Sequence, residues 1–298
     1  MTRAEIQAFL AVVEYGSITR AADELFLRQS TLSGRIQTLE SELNMTLFKR
    51  GKGVRSAELT PFGRDFIPVA EKWERLWQET LMAAGKMQCK LLSVSAILSI
   101  NAYIMSEVYS LYASRNPAVR LRLLIRHSDE SYHLIENGGA EAAFVTKPQF
   151  SKKVEAVPLF RENMMLVCAN ESKAMQAVHP SELDVGREVM LDWHREYSQW
   201  HEYWFGANCI PHVYTDDMSL MENFLQTENC WTIAPVSVAR ALTRTGTMQA
   251  KTIIDAPHDR TVFMLRRSGA EASEECNMLL GDMKEVVERL GAAWVNNQ

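Results

Sequence analysis

The chain has 298 residues, of which 47% are hydrophobic and 23% charged, and its formal net charge at pH 7 is −5. This composition excludes a largely disordered protein, and no apolar run approaches the roughly 20 residues that a membrane-spanning helix needs. The N-terminal residues also lack the apolar stretch and cleavage site of a secretion signal, so we expect a cytoplasmic protein without a membrane partner.

Apolar residues at helical spacing predict three helices in the first 50 residues. The first helix covers residues 2–15. Ser17 can cap a short second helix, in which the small residues Ala21 and Ala22 allow another helix to cross closely. A tight turn at residues 26–28 leads into a third helix, and this order predicts a helix-turn-helix. The apolar stripe of the third helix consists of Leu32, Ile36, Leu39 and Leu43.

The third helix carries polar side chains on the face away from its apolar stripe. A recognition helix offers such side chains to base edges and phosphates of DNA. Between residues 28 and 55 the chain has six basic and two acidic residues, so a local basic patch can contact phosphates although the whole protein is acidic. An ordinary solvated helix face is the alternative. The predicted DNA-binding residues here are Arg28, Gln29, Ser30, Thr31, Ser33 and Arg35.

Glycines and cations follow the third helix. The segments 47–48 and 54–59 are short and extended, which predicts a wing with a tight tip between them. Its cations can reach backbone phosphates or the minor groove. A solvated surface loop is the alternative interpretation. The predicted DNA contacts of the wing are Arg50, Lys52 and Arg55.

An ordered set of residues carries a resemblance to a known family. The set is Ile6, Phe9, Gly16, Ser17, Ile18, Ala21, Ala22, Leu25, Ser33, Ile36, Leu39, Glu40, Leu43, Leu47, Phe48, Arg50, Leu59, Thr60 and Gly63. In this order it resembles the N-terminal domain of LysR-type transcriptional regulators, over residues 1 to about 90. The resemblance implies a DNA-binding homodimer or homotetramer, with double-stranded DNA and RNA polymerase as partners.

Three residues depart from the pattern of that family. Arg28 stands where a small polar residue is usual, and Ser30 stands where proline is usual. Gly34 interrupts the recognition helix, which should cost roughly 1 kcal/mol relative to alanine. Either a close approach of DNA offsets this cost or the helix is locally soft, and the base preference of the family cannot be transferred.

Thr60 and Pro61 predict the start of a long helix, with threonine at the N-cap and proline at the first helical position. The helix should run to about residue 86, and Pro68 should kink it. Its apolar positions form a seam that can pair with another helix, and in the resembled family this helix is the linker along which two subunits dimerise. The predicted dimerisation residues are Phe62, Phe66, Trp73 and Trp77.

From about residue 89 onward, short apolar strands alternate with amphipathic helices, which predicts an α/β fold. Two lobes joined by crossing strands would leave a cleft, and this arrangement resembles the effector domain of the same regulators, which is related to periplasmic binding proteins. The predicted strands are 91–95, 119–125, 142–146, 164–168, 188–191, 212–214, 231–234 and 261–265. The predicted helices are 100–115, 131–137, 196–205, 217–226, 236–242 and 271–290.

The expected fold class is therefore multidomain, with an all-α winged helix-turn-helix and an α/β two-lobed, periplasmic-binding-protein-like domain. The predicted boundaries are 1–60 for the DNA-binding domain, 61–88 for the linker helix, 89–161 with 266–298 for lobe one, and 162–265 for lobe two.

A small-molecule effector should bind in the cleft, because ligands of open α/β folds lie beyond the carboxyl ends of strands. Ser99 precedes the first predicted helix of lobe one, Ser128 follows its second strand and Thr146 closes its third strand. All three match positions where the resembled family contacts its small molecule. As isolated hydroxyls they could equally be helix caps. The aromatic-rich stretch of lobe two adds Trp193, His194 and Trp231 as a candidate wall for a flat ligand.

The preferred function is a transcription factor whose effector changes the placement of paired DNA-binding domains. No catalytic motif is present, so we do not expect an enzyme. The five cysteines lack metal-binding spacing, so we expect no metal and no cofactor. Two alternatives stay open: a redox-responsive transcription factor that uses cysteines or methionines, and an architectural DNA-binding protein that needs no ligand.

Overall fold

The structure is a computed structural model that describes residues 1–49, 57–83, 90–169, 177–226 and 230–295. The chain divides into two compact units, one of residues 1–90 with 136–139 and one of residues 91–135 with 140–298. Among the described residues, no helix combines the length and the apolar character needed to cross a membrane.

The described part of the first unit is helical, and it confirms the predicted helix-turn-helix. Its core includes Ile6, Phe9, Ala21, Leu32 and Leu39, all of which are fully buried. The small side chains Ala21 and Ala22 allow the close helix crossing that the sequence predicts. The helices are α1 (Arg3–Tyr15), α2 (Ile18–Glu24), α3 (Gln29–Leu43) and α4 (Pro61–Ala83).

A buried carboxylate fixes the chain that leaves α3. Glu40 accepts hydrogen bonds from the backbone N–H groups of Leu47 at 2.7 Å and Phe48 at 3.2 Å. Phe48 then pairs with Leu59 in an antiparallel bridge. This pairing forms the base of the predicted wing, while the predicted contacts Arg50, Lys52 and Arg55 lie outside the described residues.

The start of α4 agrees with the sequence prediction. Thr60 Oγ1 accepts a hydrogen bond from the Gly63 N–H at 2.9 Å, and Pro61 occupies the first helical position. A side chain at Gly63 would place its Cβ 2.2 Å from the Leu47 carbonyl oxygen, so this approach requires glycine. The helix continues through Pro68.

The second unit contains the predicted α/β elements and further strands. Its strands are β1 (Lys90–Ala96), β2 (Val119–Ile125), β3 (Ala142–Val145), β4 (Val154–Glu162), β5 (Met164–Ala169), β6 (Ala177–Val178), β7 (Val189–Met190), β8 (Val213–Tyr214), β9 (Trp231–Pro235), β10 (Met248–Ile253), β11 (Arg260–Arg267) and β12 (Ala293–Trp294). Its helices are α5 (Leu98–Ile100), which continues through a π-helical turn (Asn101–Met105) into α6 (Ser106–Arg115), then α7 (Ser128–Glu136), α8 (Arg195–Phe205), α9 (Met218–Leu225), α10 (Val236–Leu242) and α11 (Glu274–Arg289).

Two sheets with separate hydrophobic cores form the two lobes. The first sheet has the strand order β12-β4-β11-β3-β1-β2, and the second has the order β6-β10-β5-β9, beside the short pair β7-β8. The chain passes from the first sheet to the second between β4 and β5, and it returns between β10 and β11. Two antiparallel crossing segments therefore connect the lobes.

The return to lobe one comes earlier in the chain than the predicted boundary at residue 266. Strand β11 begins at Arg260, pairs with β4 of the first sheet along its length, and pairs with β3 over 263–265. The sequence pattern also misses β4 and β10. Pro158 and a register shift interrupt β4, and polar side chains alternate along β10, so neither strand has a continuous apolar run.

Candidate functional site

The exposed face of α3 is the first candidate site. Arg28, Gln29, Ser30 and Thr31 are exposed at the start of the helix, and Ser33 and Arg35 are half-buried one turn further on. Leu32, Ile36 and Leu39 on the other face are buried in the core of the first unit. The structure thus places four of the six predicted side chains in solvent at the start of a helix that the core holds in place, and the other two at its half-buried flanks.

The turn before α3 has two unfavourable local features. Phe26 has φ +55°, a left-handed conformation that is costly for a bulky residue, and its side chain is 97% exposed. Arg28 occupies the N-cap of α3, and within the described part of the chain its side chain makes no capping hydrogen bond. The residue types preferred at an N-cap have short oxygen-bearing side chains, which arginine lacks.

Gly34 lies in the middle of α3 on an exposed surface. A Cβ at this position would meet no atom of the described residues within 4 Å. Packing among the described residues therefore gives no reason for glycine here, and nothing among them offsets its helix-propensity cost.

The predicted dimerisation seam of α4 is partly wrong. Phe66 is 5% exposed, and its ring packs against Phe9 of α1 with centroids 5.2 Å apart, so it belongs to the core of its own unit. Phe62 is half-buried and stacks on Phe66. Helical periodicity cannot distinguish the chain's own core from a partner, which is why the sequence assigned these two rings to an interface.

The exposed apolar surface of α4 lies at Val69, Leu76 and Trp77. The half-buried Trp73 stacks on Trp77 with centroids 5.9 Å apart, and the Arg3 guanidinium lies over the Trp77 ring. Trp73 and Trp77 thus lie at the edge of an apolar surface, and their role in dimerisation stays a prediction.

The second candidate site is a cavity of about 410 Å³ in the α/β unit. Four predicted effector residues line it: Ser99, Ser128, Thr146 and Trp193. The three hydroxyls come from the first turn of α5, the first residue of α7 and the end of β3, and all are buried. The full lining is Ile97, Leu98, Ser99, His127, Ser128, Asp129, Thr146, Lys147, Leu191, Asp192, Trp193, Tyr214, Thr215, Asp216 and Met218.

The other two predicted effector residues, His194 and Trp231, are not among the described residues that line this cavity. His194 is the N-cap of α8, where its Nδ1 accepts a hydrogen bond from the Tyr197 N–H at 2.9 Å. Burial lowers the pKa of His194, against the opposing effect of Glu196. Trp231 donates from Nε1 to the Asp184 carbonyl and packs in the core of lobe two. Both side chains are buried in lobe two instead of lining the cavity.

A buried ion pair lies next to the cavity at the crossing between the lobes. Arg260, the first residue of β11, pairs with Glu162, the last residue of β4, and both are essentially inaccessible to solvent. Arg260 also donates from Nη1 to Ser99 Oγ at 3.0 Å, and its guanidinium lies over the Trp193 ring. Thus two residues of the cavity wall, Ser99 and Trp193, contact Arg260, whose ion pair with Glu162 joins the two crossing segments.

Sequence reasoning missed this ion pair and the charged rim of the cavity. Lys147 and Asp192 form an ion pair at 3.3 Å between the two lobes, and Asp129 and Asp216 are exposed on the same lining. Each of these residues resembles an ordinary surface charge in the sequence. Their only signal is that each lies within two residues of a predicted strand end or helix start.

Two family models match the chain. The model described as "Bacterial regulatory helix-turn-helix protein, lysR family" matches residues 4–64, and the model described as "LysR substrate binding domain" matches residues 86–287. The relatives found are named as transcriptional regulators, which agrees with the expectation of a regulator and not an enzyme.

Individual relatives are distant in sequence. The HTH-type transcriptional regulator YofA of Bacillus velezensis is 29% identical over 179 residues, which cover 59% of this chain and 61% of that protein. The hydrogen peroxide-inducible genes activator of Haemophilus influenzae is 25% identical over 89% of this chain and 90% of its own length. Among solved structures, full-length CbnR in complex with its target DNA has a TM-score of 0.69 at 19% identity, covering 97% of this chain and all of that one.

Proposed function

The chain belongs to the LysR family of bacterial transcriptional regulators, and on that premise we propose that it binds operator DNA through α3 and responds to a small molecule held in the 410 Å³ cavity. The observation that carries the DNA-binding half is the arrangement of α3. Its apolar stripe is buried in a helical core while Arg28 to Thr31 extend into solvent at its N-terminal end. A recognition helix contacts base edges with this part of its surface.

The effector is a small polar molecule. The cavity has a volume in the range of ordinary ligand sites, about 300–1,000 Å³, and three buried hydroxyls with one indole ring form part of its wall. Ser99 accepts a hydrogen bond from Arg260, so its own hydroxyl proton is available to an acceptor atom of the ligand. Ser128 and Thr146 offer further hydroxyl groups, and Trp193 offers a flat apolar surface.

The Arg260–Glu162 pair couples this cavity to the lobe crossing. A ligand that contacts Ser99 or Trp193 changes the surroundings of Arg260, which holds the ends of β4 and β11. A ligand shifts a conformational equilibrium only through different affinities for the two states. Contacts with both lobes supply that difference, because Ser99, Ser128 and Thr146 belong to one lobe and Trp193 to the other.

The protein acts as a homodimer or homotetramer on paired half-sites, as closed symmetric assemblies of DNA-binding proteins do. The exposed Val69, Leu76 and Trp77 of α4, with Trp73, supply the apolar surface for pairing. RNA polymerase is the further partner expected of a transcriptional regulator.

The DNA-binding half is tested without a known operator. Duplexes are first selected from a random pool with the wild-type protein, and their affinity is then measured by fluorescence anisotropy at fixed salt. We expect Arg35→Ala to weaken binding and Ser33→Ala to change which selected sequences are preferred. The matched control is Arg244→Ala, which removes an exposed arginine of the α/β unit. Equal affinities for Arg35→Ala and Arg244→Ala would contradict the assignment of α3.

The ligand half is tested by a thermal-shift screen of small metabolites. A compound that raises the melting temperature of the wild type should raise it less in Ser128→Ala and Trp193→Ala. His194→Asn serves as the control, because it retains an oxygen at the N-cap and lies outside the cavity lining. Equal shifts in all variants would place the compound elsewhere.

A further inference from the structure

Three functional side chains lie together in lobe two, away from the lining of the cavity. His201 Nε2 is 2.6 Å from Glu188 Oε2, and the two side chains are 3% and 0% exposed. Cys209 Sγ is 3.8 Å from the other ring nitrogen of the same histidine, Nδ1. The order is therefore thiol, imidazole and carboxylate.

The hydrogen-bond partners favour one arrangement of the protons in this group. Glu188 also accepts a hydrogen bond from the Tyr197 hydroxyl at 3.2 Å, on the oxygen that does not contact His201. In the tautomer that matches these partners, His201 donates from Nε2 to Glu188. In a neutral ring, Nδ1 is consequently an acceptor, and the Cys209 thiol donates its proton to it. This is the arrangement of a nucleophile, a base and a group that orients the base.

Cys209 keeps part of its residue surface accessible, beside apolar side chains. Cys209 is half-buried, its neighbour Ile210 is 83% exposed, and the Phe205 ring lies 4.9 Å from the His201 ring. Burial raises the pKa of Cys209, and the negative charge of Glu188 adds to this effect. The resting group is therefore a thiol and not a thiolate, so a reaction at sulfur needs a neighbouring base.

We propose that Cys209 is a site of covalent addition for apolar α,β-unsaturated carbonyl compounds, with His201 as the base. The sulfur forms a bond to the β-carbon of the compound while His201 Nδ1 takes the thiol proton. The electron pair of the carbon–carbon double bond moves toward the carbonyl group, and the proton returns from Nδ1 to the α-carbon. The net change is addition of S–H across the double bond, without an oxidant or a leaving group.

The thiol is connected to the cavity wall through the backbone. Glu188 directly precedes β7, and Leu191 and Trp193, which follow β7, line the cavity. His201 lies in α8, whose N-cap residue follows Trp193. An adduct at Cys209 removes the hydrogen bond between the thiol and His201, next to the chain segments that lead to the cavity wall.

The test measures the rate at which N-ethylmaleimide labels each cysteine of the full chain, by mass spectrometry of the peptides. Cys168 is also half-buried and serves as the control in the same molecule. The labelling rate of each cysteine is divided by the rate of the same cysteine in urea, where the fold no longer affects reactivity. We expect Cys209 to be labelled at least about ten times faster than Cys168 after this normalisation, and we expect His201→Gln to remove most of that ratio. Circular dichroism checks that His201→Gln is folded. If His201→Gln does not fold, Glu188→Gln, which keeps the shape of the carboxylate, is used in its place.

Two results would overturn the proposal. One is a normalised rate at Cys209 no greater than that at Cys168, which needs no variant to observe. The other is an unchanged rate at Cys209 in a folded His201→Gln or Glu188→Gln protein. Treatment with hydrogen peroxide followed by dimedone separates addition from oxidation. Trapped sulfenic acid at Cys209 together with slow maleimide labelling would also overturn the assignment to unsaturated carbonyl compounds.

Discussion

Arg260 and Glu162 form a fully buried ion pair at the point where both crossing segments join the first sheet. The Arg260 Nε–H donates to Glu162 Oε2 at 3.1 Å, and Nη2 contacts the same oxygen. The second carboxylate oxygen of Glu162 accepts from the Ser237 N–H at the start of α10. One ion pair therefore ties together β4, β11 and the first helix after β9.

Glu162→Gln should strongly destabilise the α/β unit, because it leaves the buried Arg260 charge without its counter-ion. Breaking a buried pair from one side costs about 3–5 kcal/mol. The same strands provide a matched control, since Arg266 and Glu155 form a solvent-exposed pair at 3.0 Å. Glu155→Gln should cost less than about 1 kcal/mol. Urea unfolding measures both free energies, and similar losses for the two variants would contradict a special role of the buried pair.

Gly34→Ala should stabilise the first unit by about 1 kcal/mol, because alanine is the better helix former and its Cβ meets no described atom. If DNA approaches this position closely, the same variant binds the selected operator more weakly. Gly281→Ala is the control, since Gly281 is an exposed glycine in the interior of α11 with the same free space around it. It should stabilise similarly without changing DNA affinity. Equal DNA affinity for both variants would show that helix softness, and not DNA contact, explains Gly34.

Phe26→Asn should also stabilise the first unit, by about 1 kcal/mol. Asparagine tolerates the left-handed conformation that phenylalanine is forced to adopt at φ +55°, and an exposed ring loses little packing. Phe150→Asn removes another ring that is 93% exposed, at a position without a positive φ. Thermal unfolding should therefore show a rise for Phe26→Asn and almost no change for Phe150→Asn. A fall for Phe26→Asn would mean that the ring has a stabilising contact.

Acidification should destabilise the α/β unit partly through His194. Burial lowers the pKa of His194 in the folded protein, against the effect of Glu196 and with the help of the Arg260 charge. The unfolded chain therefore binds the proton more readily, and this contribution to stability is lost as the pH falls below about 6.5. His194→Asn keeps an N-cap acceptor for α8 but cannot titrate. Its stability should fall less than that of the wild type between pH 7 and pH 5.

The exposed His212 supplies the control for this comparison. His212→Asn removes an exposed imidazole elsewhere in the α/β unit, and the stability of this variant should follow the wild-type pH dependence more closely than that of His194→Asn does. If both variants lost the same part of the pH dependence, His194 would not be its source.

The sequence predicts those features that depend on local pattern. The helices of the first unit, the capped start of α4 and the three hydroxyls of the cavity follow from periodicity, capping residues and positions at strand ends. Phe66 shows the limit of that approach, because an apolar position faces inward whether the covering surface is its own α1 or another subunit. His194 was expected in the cavity, but its side chain turns back to cap α8.

Contacts between distant parts of the chain could not be predicted in this way. Arg260 and Glu162 are 98 residues apart. The sequence does not distinguish a charged residue that is buried in the fold from one that is exposed. The same holds for His201 of α8. Its contacts with Glu188, which precedes the helix, and with Cys209, which follows it, form only in the folded chain. The pattern identifies elements, and their packing decides which polar residues meet.

Occupation of the cavity should control the binding of this regulator to DNA. The most direct test is the affinity of the wild type for a selected operator, measured by fluorescence anisotropy with and without a compound that raises its melting temperature. We expect the dissociation constant to change by about fivefold or more, and we expect Ser128→Ala to lose this change while still binding DNA. A compound that binds the cavity and leaves the DNA affinity of the wild type unchanged would contradict the account and favour an architectural DNA-binding protein.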